Sequence, residues 1–513
     1  MEQRTRLRAC FDELVELGNR FRQAIDDSDD GIEVNREDLD GLPESFIGGL
    51  KRVDGRYRVS LDYPEFYPFM SNARSSELRR ELFVKEQTKA GQPNIERLER
   101  AIAVRNEIAQ LLGYDSWAAY AIEPRMAKRR ETVAAFIKDL RDRVAIKAAA
   151  DIALLADARE AALGSRDVNI WDWRFYHNEL MKTTFALDEF AVAEYFPMDA
   201  CLDGLFAVTQ GMLGVRYEEA LDAPAWHPDV RAFDIYEADG SSPFARFYMD
   251  LFPRPNKYGH AAAFTLHRGR RLADGSYQHP ASAIVANFTK PTPDQPSLLR
   301  HSEVVTLWHE FGHILHQTLT RAQRSRFSGT ATERDFVEAP SQMLEHWCWE
   351  PAVLRSFARH YQTGEPLPED LMASMIAAKN ASSGITTLRQ LLFATLDLAY
   401  HSPGFDGDTT ATLATLHDVS GFPFTEGTHF QSGFGHLFGY DAGYYGYMWS
   451  HVFGDDMYTK FEEAGPLNPE AGAFYRKTIL ERGGSVDGDE LVREFLGRET
   501  NNGAFLRGLG LEG

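Results

Sequence analysis

The chain has 513 residues, 43% of them hydrophobic, enough to bury a large core spread over more than one domain or lobe. Its formal net charge of −21 argues against a nucleic-acid partner, because phosphate binding needs a positive surface, and reads most simply as an acidic solvated surface. Three widely spaced cysteines, Cys10, Cys201 and Cys348, fit neither a disulfide framework nor a cysteine metal site and read as buried thiols in a reducing compartment.

In chain order, residues 1–25 are amphipathic and heavily charged, with no uninterrupted apolar stretch, so they predict a helix rather than a signal peptide. Asp26-Asp27-Ser28-Asp29-Asp30 follows as a solvated loop. Residues 75–112 and 129–163, rich in Ala, Leu, Glu, Lys and Arg, predict long helices, and residues 169–195 with the segment after them predict more helix. The pattern changes at residues 230–251, where two β-rich runs flank Asp239-Gly240 as a hairpin would. Residues 262–267 and 281–288 predict further strands, giving a small sheet whose edge could pair with an extended peptide. From His309 onward the signals are helical through Leu496, without internal repeats. No apolar run is long enough to span a bilayer, so no membrane partner is expected and the cytoplasm is the expected location.

The densest chemical signal is His309-Glu310-Phe311-Gly312-His313. Histidines four apart stand one helical turn above each other and can reach a single cation. The adjoining Glu310 can then take a proton from water held at that point. The preceding run from Ser302 to Trp308 lacks Gly and Pro, and Glu303 lies near the start, where a helix dipole favours a carboxylate. Gly312 inside the helix costs about 1 kcal/mol against alanine, a cost that close approach of another backbone, substrate or strand, would justify. The competing reading is two core histidines on an amphipathic helix. His316, on much the same face, reads as a core or supporting histidine.

A third ligand must come from farther on. Glu333 and Glu338 compete, twenty and twenty-five positions beyond His313. Spacing alone favours Glu333, but it follows the loop Ser328-Gly329-Thr330-Ala331-Thr332, whereas Glu338 lies in a run from Asp335 to Leu344 that predicts a helix. A ligand on a packed helix is held more rigidly than one on a loop, so Glu338 is preferred and Glu333 stays as the alternative. Asp335 reads as a helix-capping carboxylate or as the partner that fixes the tautomer of a ligating imidazole.

The motif helix, together with Asn287-Phe288-Thr289-Lys290-Pro291, Lys257-Tyr258-Gly259-His260 and the stretch from His436 to Ser450, resembles the zinc oligopeptidases of the thimet oligopeptidase, neurolysin and dipeptidyl carboxypeptidase family. The likeness runs from Leu39 to Arg498 and is strongest for the thimet oligopeptidase branch. It implies one Zn²⁺ per chain on His309, His313 and Glu338, with Glu310 as general base. It also implies that Tyr440 and Tyr447 stabilise the oxyanion or position substrate, and that His436 contacts substrate. The chain has one glycine, Gly439, before Tyr440 where close relatives have two, which shortens that loop. Tyr444 and Tyr445 read as structural or peptide-contacting.

The expected fold is mainly α with a small mixed β-sheet, a zincin-like (gluzincin) active-site region, and two lobes around a deep channel. The expected division is a helical lobe at 1–228, a catalytic region at 229–450 and a C-terminal helical segment at 451–513. Longer relatives carry a further N-terminal helical segment, so one wall of the channel is expected to be thinner here or supplied by another copy or chain. The function this implies is hydrolysis of internal bonds in short unstructured peptides. Alternatives are a dipeptidyl carboxypeptidase and a non-catalytic peptide-binding protein with a structural metal.

Overall fold

The computed structural model describes residues 2–511 and is mainly helical, with three small sheets. The first helix is Glu2–Asp26; its expected first residue, Met1, lies outside the described residues. The stretch expected as one helix over 75–112 is two, Ser76–Glu86 and Gly91–Leu111. Ala90 and Gly91 between them have φ of 63° and 61°, and Pro93 sits in the first turn of the second helix, where its missing N–H costs nothing. The helix Arg130–Leu163 runs unbroken for 34 residues to Gly164, whose φ of 69° ends it. One strand, Val215–Glu219, stands where only helix was expected. Its five residues are too short to show a period against the long helix before it.

The described chain forms two compact units, one of residues 2–185, 378–445 and 509–511, the other of 186–377 and 446–508. The ranges 1–228, 229–450 and 451–513 cut across these units, because hydrophobic periodicity carries no record of which distant segments return to pack together. In the first unit, Arg130–Leu163 packs against the helix Ser383–Tyr400. A Cβ on Gly384 would lie 2.4 Å from the Ala148 nitrogen, so the two backbones touch at that glycine. The same unit carries a three-stranded antiparallel sheet of Gly31–Val34, Arg56–Ser60 and Arg52–Val53, not expected from the sequence although Asp54-Gly55 between the last two strands is a hairpin signal.

The second unit is built on a five-stranded sheet in the order Val215–Glu219, Arg231–Glu237, Ala245–Asp250, Ala281–Val285, Ala262–His267. Arg231–Glu237 and Ala245–Asp250 form the expected antiparallel hairpin, and Ala281–Val285 runs parallel to Ala245–Asp250, which makes the sheet mixed. Ala262–His267 is an edge strand with exposed Phe264 and Leu266. The helix His301–Thr318 lies against this sheet and inserts Phe311 among Phe206, Tyr217 and Phe247, with ring centroids 5.7, 5.7 and 5.4 Å away. Edge-to-face rings at such distances add to the area they bury. Cys10, Cys201 and Cys348 are buried thiols. No helix of the described residues is long and apolar enough to cross a membrane.

Candidate metal centre

At the start of the helix His301–Thr318 the Arg300 N–H donates to Glu303 Oε2 at 2.9 Å, so a carboxylate in the first turn caps the chain. Phe311 faces the sheet, and the opposite side of the helix meets a short helix, Ala339–Glu345. Gly312 is the contact: a Cβ there would lie 2.5 Å from Ser341 Cα, so the backbone that needs this glycine belongs to a neighbouring helix, not to substrate or a strand. The helix Gly446–Ala464 closes the stack, with a Cβ on Gly454 falling 3.0 Å from Ala339 O. Three helices thus approach closely because two glycines let them.

This packing brings His309, His313 and Glu338 together. Their donor atoms all lie within 4.8 Å of one another, a convergence of His, Cys, Asp or Glu groups found nowhere else among the described residues. Glu338 Oε2 is 3.3 Å from His309 Nε2 and 3.0 Å from His313 Nε2. Glu338 does not sit inside a helix, as expected, but at the N-cap of Ala339–Glu345. Residues 334–338 form a turn, and Pro340 sits in the first turn of the helix that follows, where its missing N–H costs nothing. Glu333 is engaged elsewhere: it accepts from Thr332 Oγ1 at 2.7 Å and from the Gly488 N–H at 3.2 Å.

One partner was missed by sequence reasoning. Glu345 Oε1 is 2.7 Å from His309 Nδ1, the position that one of the two readings of Asp335 would have given to that residue. Glu345 lies two helical turns beyond Glu338, and that spacing was the signal available. Accepting from Nδ1–H leaves Nε2 as the donor that faces His313 and Glu338. Asp335 is fully buried, and its carbonyl accepts from Ser450 Oγ at 2.7 Å. His316 is a core residue: both ring nitrogens are buried without a partner, and burial with the nearby His313 pulls its pKa to about 3, so it is neutral.

The electrostatics are those of a compact charged cluster. Burial disfavours the charged form of Glu338, but His313 and His309 outweigh it and hold the carboxyl well below its usual range. Burial likewise opposes charge on His309, and its bonds to Glu338 and Glu345 hold it well above the ordinary imidazole value. Burial pushes the Glu310 carboxyl up, against the pull of both histidines. Glu310 Oε2 is buried without a hydrogen-bond partner among the described residues. Two imidazoles, one carboxylate and an adjacent unpartnered carboxylate fit a divalent cation that accepts nitrogen and oxygen donors and keeps a position for water.

The remaining expected residues divide between the units. Tyr447 is half-buried on Gly446–Ala464, in the unit that holds the metal ligands. His436 and Tyr440 belong to the other unit, where their rings are 5.9 Å apart and His436 is 5.4 Å from Tyr444. Their loop is held by groups that sequence reasoning missed. The buried Asp397 carboxylate accepts from the N–H groups of Ala442, Gly443 and Tyr444 at 2.8, 2.8 and 2.9 Å. Arg105 donates to Leu437 O at 2.7 Å and lies 3.0 Å from His401 Nε2. Arginine only donates, so His401 accepts there and gives its Nδ1–H to the backbone carbonyl of Asp397 at 2.8 Å. Nothing local in sequence marks Asp397, which lies more than forty residues from its partners.

The chain is 36% identical to a thimet-like oligopeptidase of Dictyostelium discoideum, over 99% of this chain and 79% of that protein. It is 32% identical to a dipeptidyl carboxypeptidase of Escherichia coli, over 99% of this chain and 77% of that protein. Among solved structures, PZ peptidase A with a bound inhibitor matches with a TM-score of 0.57 at 14% identity, covering 91% of this chain and 72% of that one, a likeness of fold. The sequence model of peptidase family M3 matches residues 69–511, and the chain belongs to that family.

Proposed function

We propose that this chain is a zinc-dependent oligopeptidase that hydrolyses internal bonds of short unstructured peptides, with a zincin-like catalytic unit. The observation that carries the reading is the convergence of His309, His313 and Glu338 beside the buried, unpartnered Glu310 carboxylate. When bound, zinc supplies Lewis-acid polarisation of the scissile carbonyl and acidifies water at the open position. The chain's own groups do the rest. Glu345 fixes the ring and tautomer of His309. Glu310 takes a proton from the attacking water and returns it to the leaving amine, a task suited to a carboxyl whose pKa burial has raised. Tyr447 and Tyr440 donate to the oxyanion, and His436 contacts substrate. The edge strand Ala262–His267 pairs with the peptide backbone, which reads extension and not sequence.

Glu310→Gln tests this directly. Metal analysis should still find one zinc per chain, while turnover of a short peptide falls by roughly 10²–10⁴-fold. Activity retained by that variant would remove Glu310 from the role. The similarity to a dipeptidyl carboxypeptidase supports a second reading, release of C-terminal pairs. Mapping the cuts in peptides with free and amidated C-termini separates the two, because an internal cleaver tolerates amidation.

A further inference from the structure

Away from the candidate metal centre, the first unit carries an open pocket of about 70 Å³ whose lining includes seven Phe, Tyr and Trp rings and two arginines, Arg174 and Arg389. Arg174 Cζ lies 4.2 Å from the centroid of the Trp173 indole and 4.9 Å from that of Tyr67, and Arg389 Cζ lies 4.5 Å from Phe393. Flat aromatic faces hold both guanidiniums in place but give their N–H groups no acceptor. Neither makes a hydrogen bond or ion pair among the described residues. The wall carboxylate, Glu86, accepts instead from Gln87 Nε2.

Two fully buried arginines of this unit do find protein acceptors. Arg79 pairs with Asp172 at 2.6 Å and donates to Ala73 O, and Arg105 donates to Leu437 O. Arg174 and Arg389 are half-buried, and two guanidiniums against the single wall carboxylate Glu86 give the pocket an excess of positive charge that an anion would neutralise. Burial pulls Arg174 down to about 10; Tyr67 and Glu86 oppose the shift, and the charge of Arg389 adds to it.

We propose that this pocket is a carboxylate-binding site, in which Arg174 and Arg389 share one carboxylate and the aromatic walls hold the short apolar stem that bears it. The volume, roughly twice a water's share of the liquid, admits a carboxylate with one or two carbons. A planar pair of oxygens matches the guanidinium fork. The carboxylate comes either from a peptide, at its C-terminus or on an acidic side chain, or from a small free acid. The peptide source rests on the oligopeptidase reading, and one contact path favours it. Phe393, which stacks under Arg389, also touches Phe434 at 4.8 Å and Tyr444 at 5.6 Å, and Phe434 lies 4.9 Å from His436.

The test titrates propionate into the zinc-loaded full chain and into Arg389→Gln and Arg174→Gln, followed by ¹³C NMR. Propionate held by the metal is common to all three and cancels in the difference. Each substitution should weaken the second, saturable site by about tenfold or more. Arg389→Lys keeps the charge but not the fork and should weaken it several-fold with an unchanged Tm, which decides the matter if a glutamine variant fails to fold. Equal propionate binding by the wild type and the folded variants overturns the proposal. With the site present, kcat/KM on peptides with free and amidated C-termini, and with Asp and Asn side chains, identifies the source. Discrimination lost in the variants assigns it to the peptide, and discrimination unchanged assigns it to a free acid. A chain that cleaves nothing would sink the oligopeptidase reading while leaving the propionate result intact.

Discussion

The metal cluster and the tyrosine loop are ordered by opposite means. The cluster is assembled from helix geometry: His309 and His313 come from one turn, and Glu338 sits at the start of a helix pressed against Gly312. The loop has no such frame. Between Gly435–Phe438 and Gly446–Ala464 its main hold is one buried carboxylate, Asp397, collecting three consecutive N–H groups, helped by Trp117 Nε1 donating to Asp441 Oδ2, with Ala442 at a φ of 48°. A site on packed helices tolerates loss of any one support gradually, whereas a loop hung on one acceptor depends on that acceptor.

The largest effect expected from breaking this contrast is at Glu338. Glu338→Ala should abolish stoichiometric zinc binding, read by metal analysis after dialysis, while Glu333→Ala should cost stability and leave zinc in place. The reverse ranking would return the third ligand to Glu333. Next comes Glu345→Gln, which keeps shape but weakens the hold on His309 Nδ1. It should lower zinc affinity roughly 10–100-fold in a chelator competition. An unchanged affinity would make the 2.7 Å contact incidental.

Asp397→Asn should leave zinc content untouched and reduce kcat/KM by about tenfold or more, because an amide turned into the nest cannot accept all three N–H groups. Faster amide exchange at 442–444 would report the same loosening, and full activity with unchanged exchange would refute the single-acceptor view. The smallest effect is at Gly312. Alanine gains about 1 kcal/mol of helix propensity, but its methyl meets the Ser341 backbone, and overpacking of that kind costs about 1–3 kcal/mol. Gly312→Ala should therefore lower stability by about 1 kcal/mol and shift zinc affinity slightly, whereas a stabilised variant would show that the helices can part.

Much of the site was legible because its chemistry is periodic. His309 and His313 are four apart, Glu310 is next to the first, and a helix around them is written in the residues from Ser302 to Leu319. Glu338 was reached for a reason that holds only in part: the packed helix is there, but it begins one residue later, since Pro340 fixes its first turn. The hairpin at Asp239-Gly240 and the edge strand Ala262–His267 were legible from alternation and turn chemistry. The break at Ala90 was overlooked although Gly91 and Pro93 mark it, because the helix-forming residues on both sides outweigh two breakers.

What the sequence determined alone is therefore the inventory of local chemistry: which side chains share a helix turn, where strands alternate, and to which family the pattern points. Only the tertiary structure decided the partners across distance. It gave Glu345 to His309, Asp397 to the tyrosine loop, Ser341 to Gly312, and an aromatic pocket to Arg174 and Arg389. The physical reason is that a hydrogen bond or a close backbone approach depends on separation in space, and chain periodicity encodes separation only along one element.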